Sequence, residues 1–211
     1  MAIQIIGNGG TVAEVDGTTW RALRVTDRPT EFGAGGYYRT AISQLTAAAP
    51  AAGANLVSLR WTSGALLMLI RYLQITINVS TASTAGLPQF AGYVARAYTV
   101  TDTGGTAATL SGNSFKKRTS HGGTSLGDLR YTAAATLTAG TRTLDAAPFI
   151  TTTTNIALGS NSTAILDIDG PGDHPIVLAQ NEGIVFQNVT AITAGVYQYT
   201  INMAWAEVPA Y

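Results

Sequence analysis

Short runs of β-branched and aromatic residues, separated by Gly, Pro, Asn and Asp, recur along most of this chain. Residues of the first kind are enriched in strands, and the separators are typical of turns. In the clearest run, Val196–Trp205, apolar or aromatic side chains occupy every second position. A two-residue period places one set on a single face of a strand, which we expect to point into the core: Tyr197, Tyr199, Ile201, Met203 and Trp205.

The same criteria predict strands along the rest of the sequence. These are Ala2–Ile6, Thr18–Thr26, Tyr37–Ser43, Asn55–Trp61, Leu66–Asn78, Phe90–Tyr98, Leu144–Phe149, Thr163–Asp167, Ile176–Leu178, Gly183–Asn188 and Gly195–Val208. Leu66–Leu73 has the apolar content of a buried helix, but β-type residues continue it, so a strand is preferred there. Leu45–Ala54 has a helix-like, Ala-rich composition. Pro50 and Gly53 interrupt that segment, so we expect a loop or one short turn there.

Many short strands without strand–helix alternation predict an all-β fold. We expect an antiparallel β-sandwich or jelly roll with long surface loops, formed by one domain over residues 1–211. Residues 1–17 are interpreted as an N-terminal arm. Residues 99–143 are poor in large apolar side chains and rich in Gly, Ser and Thr, so we expect a long loop excursion across the surface.

Charged residues make up 11% of the chain, against about 25% in ordinary domains, and the formal net charge is zero. Few groups are therefore available for proton transfer or phosphate binding, and no Cys is present. We expect no enzyme activity, no cofactor and no sequence-specific nucleic-acid binding, because duplex binders usually carry a basic face. The chain has no secretion-signal pattern and no apolar run of about 20 residues, so no membrane partner is expected.

The densest acidic group is Asp167, Asp169 and Asp173, in a segment that also contains Gly170. Counted from Asp167, these acids stand at positions one, three and seven, which resembles part of a calcium loop. The EF-hand pattern fails, because the bidentate acid it needs at position twelve is replaced by Leu178. The favoured alternative is a turn in which Asp side chains accept backbone N–H bonds. These acids also crowd one turn instead of facing each other, which counts against a glycoside hydrolase.

Two groups of residues are candidates for an interface. One is apolar and lies in the N-terminal arm, at Ile3 and Ile5. The other is basic and consists of Arg39, Lys116, Lys117 and Arg118. Arg outnumbers Lys in the chain and often lies beside aromatic residues, as is common at interfaces. The alternatives are a solvated loop tip for the basic cluster and ordinary outward-facing Arg on the strands.

Several stretches of the chain together resemble a known group of proteins. They are Arg96–Thr106, Leu110–Asn113, Arg118–Ser120, Leu137–Asp145, His174–Asn188 and Trp205–Val208. This set resembles tailed-bacteriophage virion structural proteins, over roughly the last half of the chain, with a weaker similarity at Tyr37–Leu73. The family motifs carry no catalytic chemistry, so the resemblance transfers no active-site residue.

The resemblance implies a virion location. It favours a capsid decoration, or cement, protein that binds the head shell as an oligomer, most simply a homotrimer. Its partners would be copies of itself and the major capsid protein or another virion protein. The alternative is a tail, collar or fibre component, including one that binds a receptor. No collagen-like or coiled-coil stem is visible, which weakens a fibre assignment.

Overall fold

The computed structural model describes residues 15–16, 22–23, 36–117, 123–132, 136–167 and 174–209. The chain divides into two compact units, Met1–Glu31 and Phe32–Tyr211. In the first unit, the described residues are β1 (Val15–Asp16) and β2 (Ala22–Leu23), which pair antiparallel. The predicted strand at 2–6 lies outside the described residues. The two larger sheets belong to the second unit.

The second unit is built from strands and one short 3-10 helix at Asn113–Phe115. The strands are β3 (Gly36–Ala48), β4 (Ala54–Trp61), β5 (Leu67–Thr81), β6 (Gln89–Arg96), β7 (Thr106–Ala108), β8 (Gly127–Tyr131), β9 (Thr143–Leu144), β10 (Ile150–Thr153), β11 (Asn161–Asp167), β12 (Ile176–Leu178), β13 (Gly183–Asn188) and β14 (Val196–Val208). No α-helix occurs among the described residues.

These strands form two antiparallel sheets that pack against each other. In the first sheet the order is β11-β5-β14-β3, and β12 also pairs with β5. In the second sheet the order is β10-β6-β13-β4-β8-β7, and β9 also pairs with β6. Side chains from both sheets share one hydrophobic core. The expected antiparallel β-sandwich is therefore confirmed.

The pairing pattern is nested. β3 pairs with β14, β4 with β13, β5 with β11 and β12, and β6 with β10. The first half of the sandwich therefore pairs with the second half in reverse order, as one long antiparallel ribbon whose successive segments alternate between the two sheets. β7, β8 and β9 lie in the chain between β6 and β10, at the turn of this ribbon.

Most predicted strands are present within a few residues, and β12 and β13 have the predicted bounds. β3 is longer than predicted, because it continues to Ala48 through part of the segment expected to be a loop or turn. Its last residues, Ala47 and Ala48, pair with Tyr197 and Val196 of β14. Pairing with a neighbouring strand thus outweighs the weak strand preference of Ala, and Pro50 follows the strand end.

The excursion at 99–143 was expected to be a surface loop, but it also contributes strands. β8 pairs with β4 and β7 pairs with β8, so both extend the second sheet. β7, β8 and β10 were not predicted, because their sequences are dominated by Thr, Ala, Gly and charged residues. The predicted strand at 144–149 is reduced to β9 (Thr143–Leu144), and the next strand, β10, begins at Ile150.

The core is centred on the inward side of β14. Tyr197, Tyr199, Ile201, Met203 and Trp205 are all buried, as predicted from the alternation. The ring of Trp205 stacks on Tyr38 of β3, with centroids 5.9 Å apart. Phe90 of β6 meets Tyr199 at 5.2 Å, which joins the second sheet to the first. Aromatic pairs of this kind add about 0.5–1.5 kcal/mol beyond the area they bury.

Two isoleucines in the first sheet allow a matched test of this core. Ile201 is fully buried on β14, whereas Ile165 on β11 is 58% exposed. We expect Ile201→Ala to lower the free energy of unfolding by about 2–5 kcal/mol, through lost transfer energy and a cavity. Ile165→Ala should cost at most about 1 kcal/mol. Chemical denaturation of both variants measures the difference, and equal losses would contradict the assigned strand faces.

Candidate functional site: a neutral sheet face and an adjoining groove

The outward side of the first sheet is uncharged over most of its area. Side chains alternate between the two faces of a strand, so the side chains between the buried positions point outward. We name this surface the neutral face, and it consists of Ala41, Ser43, Thr46 and Ala48 on β3, Val196, Gln198, Thr200 and Asn202 on β14, Gln74, Thr76 and Asn78 on β5, and Asn161, Thr163 and Ile165 on β11.

Polar side chains on the neutral face bond to one another across the strands. The hydroxyl groups of Thr76 and Thr163 are 3.0 Å apart, and Asn202 Nδ2 donates to Gln74 Oε1 at 2.9 Å. Cross-strand pairs of this kind hold side chains in place on the sheet surface. A partner that covers the neutral face therefore displaces water from ordered polar groups without desolvating any charge, and the cores of protein interfaces are similarly depleted in charged residues.

Charged residues concentrate instead around the outward side of the second sheet. Arg60 of β4 donates to the Tyr98 carbonyl at 2.6 Å, to Thr101 Oγ1 at 3.1 Å and to Asn181 Oδ1 at 2.9 Å. Thr101 in turn donates to Asp128 Oδ2 of β8 at 2.7 Å. These bonds fasten the loop after β6 to β4 and β8, and tie β4 to the turn before β13.

A buried ion pair completes this network. The Asp102 carboxylate is fully buried and accepts from the Tyr98 hydroxyl at 2.7 Å and from Gly140 N at 2.9 Å. The Arg142 guanidinium pairs with Asp102, and its carbon lies 4.9 Å from the centroid of the Tyr98 ring. Burial raises the pKa of Tyr98 and lowers the pKa of Arg142. The arrangement anchors two loops to each other.

A groove of about 480 Å³ adjoins one end of the neutral face. We name it the Arg39 groove. Its lining joins the small residues Ala41 and Ala204 to larger polar or aromatic side chains, and it includes residues of the 3-10 helix. Besides those two alanines, the lining includes Arg39, Tyr72, Asn202, Ser114, Phe115 and Lys117.

The structure brings two of the predicted interface residues together in this groove. Arg39 and Lys117 both line it and both are exposed. Lys117 N donates to the Tyr37 carbonyl at 2.8 Å, and a bridge joins Tyr38 to Lys116. Successive residues of such a bridge face opposite ways, so Lys116 is buried while Lys117 faces outward. Ile3, Ile5 and Arg118 lie outside the described residues.

The acidic segment is described only in part. Asp167 is the exposed last residue of β11 and pairs with Tyr72 in the strand register. Asp169 and Asp173 lie outside the described residues. Over the described ranges, no three His, Cys, Asp or Glu side chains come together in a group that could hold a metal ion. Both interpretations of the segment, calcium loop and Asx turn, thus stay predictions.

Sequence reasoning missed a buried carboxyl group, Glu207, near the end of β14. Its Oε1 accepts from Ser125 Oγ at 2.6 Å, Trp205 Nε1 at 3.2 Å and Leu126 N at 3.4 Å. Burial raises the pKa of Glu207 above its ordinary value. Burial, with a smaller contribution from the Glu207 charge, raises the pKa of Tyr38 to about 12. The inward register of β14 was a signal for Glu207, since it continues the alternation from Trp205.

Comparisons with protein family models, curated proteins and solved structures found no match to this chain. In the part of the chain that the structure describes, no helix is long and apolar enough to cross a membrane.

Glu207 gives a pH dependence that can be tested. A raised pKa means that the folded protein keeps this proton to higher pH than the unfolded chain does. The carboxyl group therefore stabilises the fold below its ordinary pKa of 4.5, and this contribution is lost as the pH rises through the folded-state pKa. Denaturation of the wild type and Glu207→Gln between about pH 4 and about pH 8 should show the variant gaining relative stability with pH. Parallel profiles would refute the assignment.

Proposed function

We propose that this chain is a structural protein of a tailed-phage virion, most simply a capsid decoration protein that binds the head shell as an oligomer. The neutral face carries the proposal, because it is an ordered, uncharged surface suited to lasting contact with another protein. A protein that binds the assembled shell and not its dissociated parts stabilises the shell by mass action. The resemblance to virion structural proteins, seen in the second half of the sequence, supports the same role.

The size of the neutral face favours binding as an oligomer. Four strands about 4.8 Å apart and about seven residues long cover roughly 450 Å². A stable interface usually needs about 800 Å² from each partner. One neutral face therefore makes a weak contact, and several linked copies would gain strength by multivalent binding. A trimer that places three neutral faces on the shell meets this requirement.

The nested strand pairing is a second, less specific observation that supports a virion role. We propose that the wrapped ribbon, with β3-β14-β5-β11 facing β4-β13-β6-β10, is a jelly roll. Viral capsid domains and lectin domains are among the proteins built this way. Because one fold serves many functions, the strand order agrees with a virion role without selecting it.

The second candidate is a tail, collar or fibre component, including one that binds a receptor. The Arg39 groove is the observation that favours it, since a concave site with a few polar groups suits a small ligand. Both candidates place the protein in the virion, and they differ in position and partner.

The decoration role predicts a loss of shell strength when the protein is missing. We expect virions without it to lack an outer layer of density in micrographs and to release their genome at a lower temperature. Adding the purified protein should restore both properties, because binding shifts the equilibrium toward the intact shell. An unchanged, equally robust shell that does not bind added protein would defeat the decoration role.

A matched pair of substitutions tests the neutral face itself. Thr163→Glu places a charge on this face, whereas Thr151→Glu places one on β10, an exposed edge strand of the other sheet. We expect Thr163→Glu to weaken binding to shells by about tenfold or more, because an unpaired charge would be desolvated. Thr151→Glu should bind normally. Co-sedimentation with shells measures both, and equal effects would mean that the neutral face is not the contact.

A further inference from the structure

We propose that the Arg39 groove binds an acidic oligosaccharide, with a uronic or sialic acid carboxylate held by Arg39. The inference goes beyond the proposed function. Ala41 and Asn202 belong both to the neutral face and to the groove, so it holds where a shell or neighbouring copy leaves that end of the neutral face uncovered.

The lining is cationic and has no acidic member. Arg39 is exposed, and its guanidinium group has no hydrogen-bond or ion-pair partner among the described residues. Lys117 contributes a second cation, held by a contact of 3.3 Å between Nζ and the Tyr37 hydroxyl oxygen. Asp167 of β11 lies directly opposite Tyr72 of β5 in the strand register, but it does not line the groove. A planar guanidinium with free donors binds a carboxylate in bidentate fashion, so an anionic group is the complementary ligand.

The remaining groups suit a sugar. The Tyr72 hydroxyl donates to Gln74 Oε1 at 3.3 Å, and Gln74 is its neighbour two residues along the same face. That bond ties the Tyr72 side chain to its neighbour, and Tyr72 lines the groove, where an aromatic ring can pack against the C–H groups of a sugar. Asn202 Nδ2 donates to the same Gln74 oxygen at 2.9 Å, which orients Asn202 Oδ1 as an acceptor for a ligand hydroxyl.

Other anions fit less well. A nucleic acid requires a longer basic stripe, and this chain has a net charge of zero. A bare phosphate would use the two cations and neither Tyr72 nor Asn202. The groove volume of about 480 Å³ lies in the range of about 300–1,000 Å³ that is usual for small-ligand sites. An acidic peptide is the nearest rival and is included in the test.

The direct test titrates the full chain with short acidic oligosaccharides by calorimetry or ligand-observed NMR. The probes are trigalacturonate, a hyaluronan tetrasaccharide and an α2,8-linked sialic acid trimer, each paired with its neutral methyl ester. We expect at least one acid to bind with a Kd below about 1 mM, and its ester to bind about tenfold more weakly. No binding by any acid at that concentration overturns the proposal, and so does equal binding of acid and ester.

Variants locate the binding. Arg39→Gln and Tyr72→Ala should each weaken binding of the best probe by about tenfold, the first by removing the carboxylate partner and the second by removing the ring. Arg96→Gln is the matched control, because Arg96 is an exposed arginine on the other sheet, paired with Asp145 and Glu182. Thermal melting confirms that each variant is folded. Equal loss in Arg96→Gln, or equal binding of hexaglutamate or polyphosphate to the wild type, would reject a saccharide site.

Discussion

The structure depends on the antiparallel pairing of the first half of the sandwich with its second half. β14 lies between β3 and β5, so the last strand of the chain completes the first sheet. Most contacts therefore join residues that are far apart in sequence. Closing the long loops between them costs conformational entropy before the packing contacts that offset this cost can form. β14 contributes to both sides of the sheet, because its inward side chains form the core and its outward ones form the centre of the neutral face.

The few charged residues of the chain are unevenly distributed in the structure. Among the described residues, the charged side chains cluster in the loops around the second sheet and near one end of the first. On the second sheet they are used internally: Arg60 and Arg142 fasten loops, and Arg96 pairs with Asp145 and Glu182. The first sheet is left with a broad surface of Thr, Asn, Gln and Ala. Charge is thus partitioned between a side that holds its own loops and a side that is free to contact a partner.

The predictable part of the fold came from local alternation. The faces of β14 could be assigned from sequence because its aromatic and apolar residues recur with period two, and β12 and β13 could be bounded by their turn residues. β7 and β8 could not, because their Thr, Ala and Gly residues become strands only by pairing beside β4. At the groove, Arg39 and Lys117 were candidates from charge alone. Tyr72 and Asn202 were not, because their role depends on which strands are neighbours.

The central claim is that the neutral face is the surface through which this protein contacts the virion. A density map of the intact particle tests it most directly, since the two sheets can be told apart by the loops that cover the second one. The account predicts that β3, β14, β5 and β11 face the shell or a neighbouring copy, and that the Arg60 and Asp102 networks face away from that contact. A particle in which the second sheet makes the contact and the neutral face is open to solvent would contradict it.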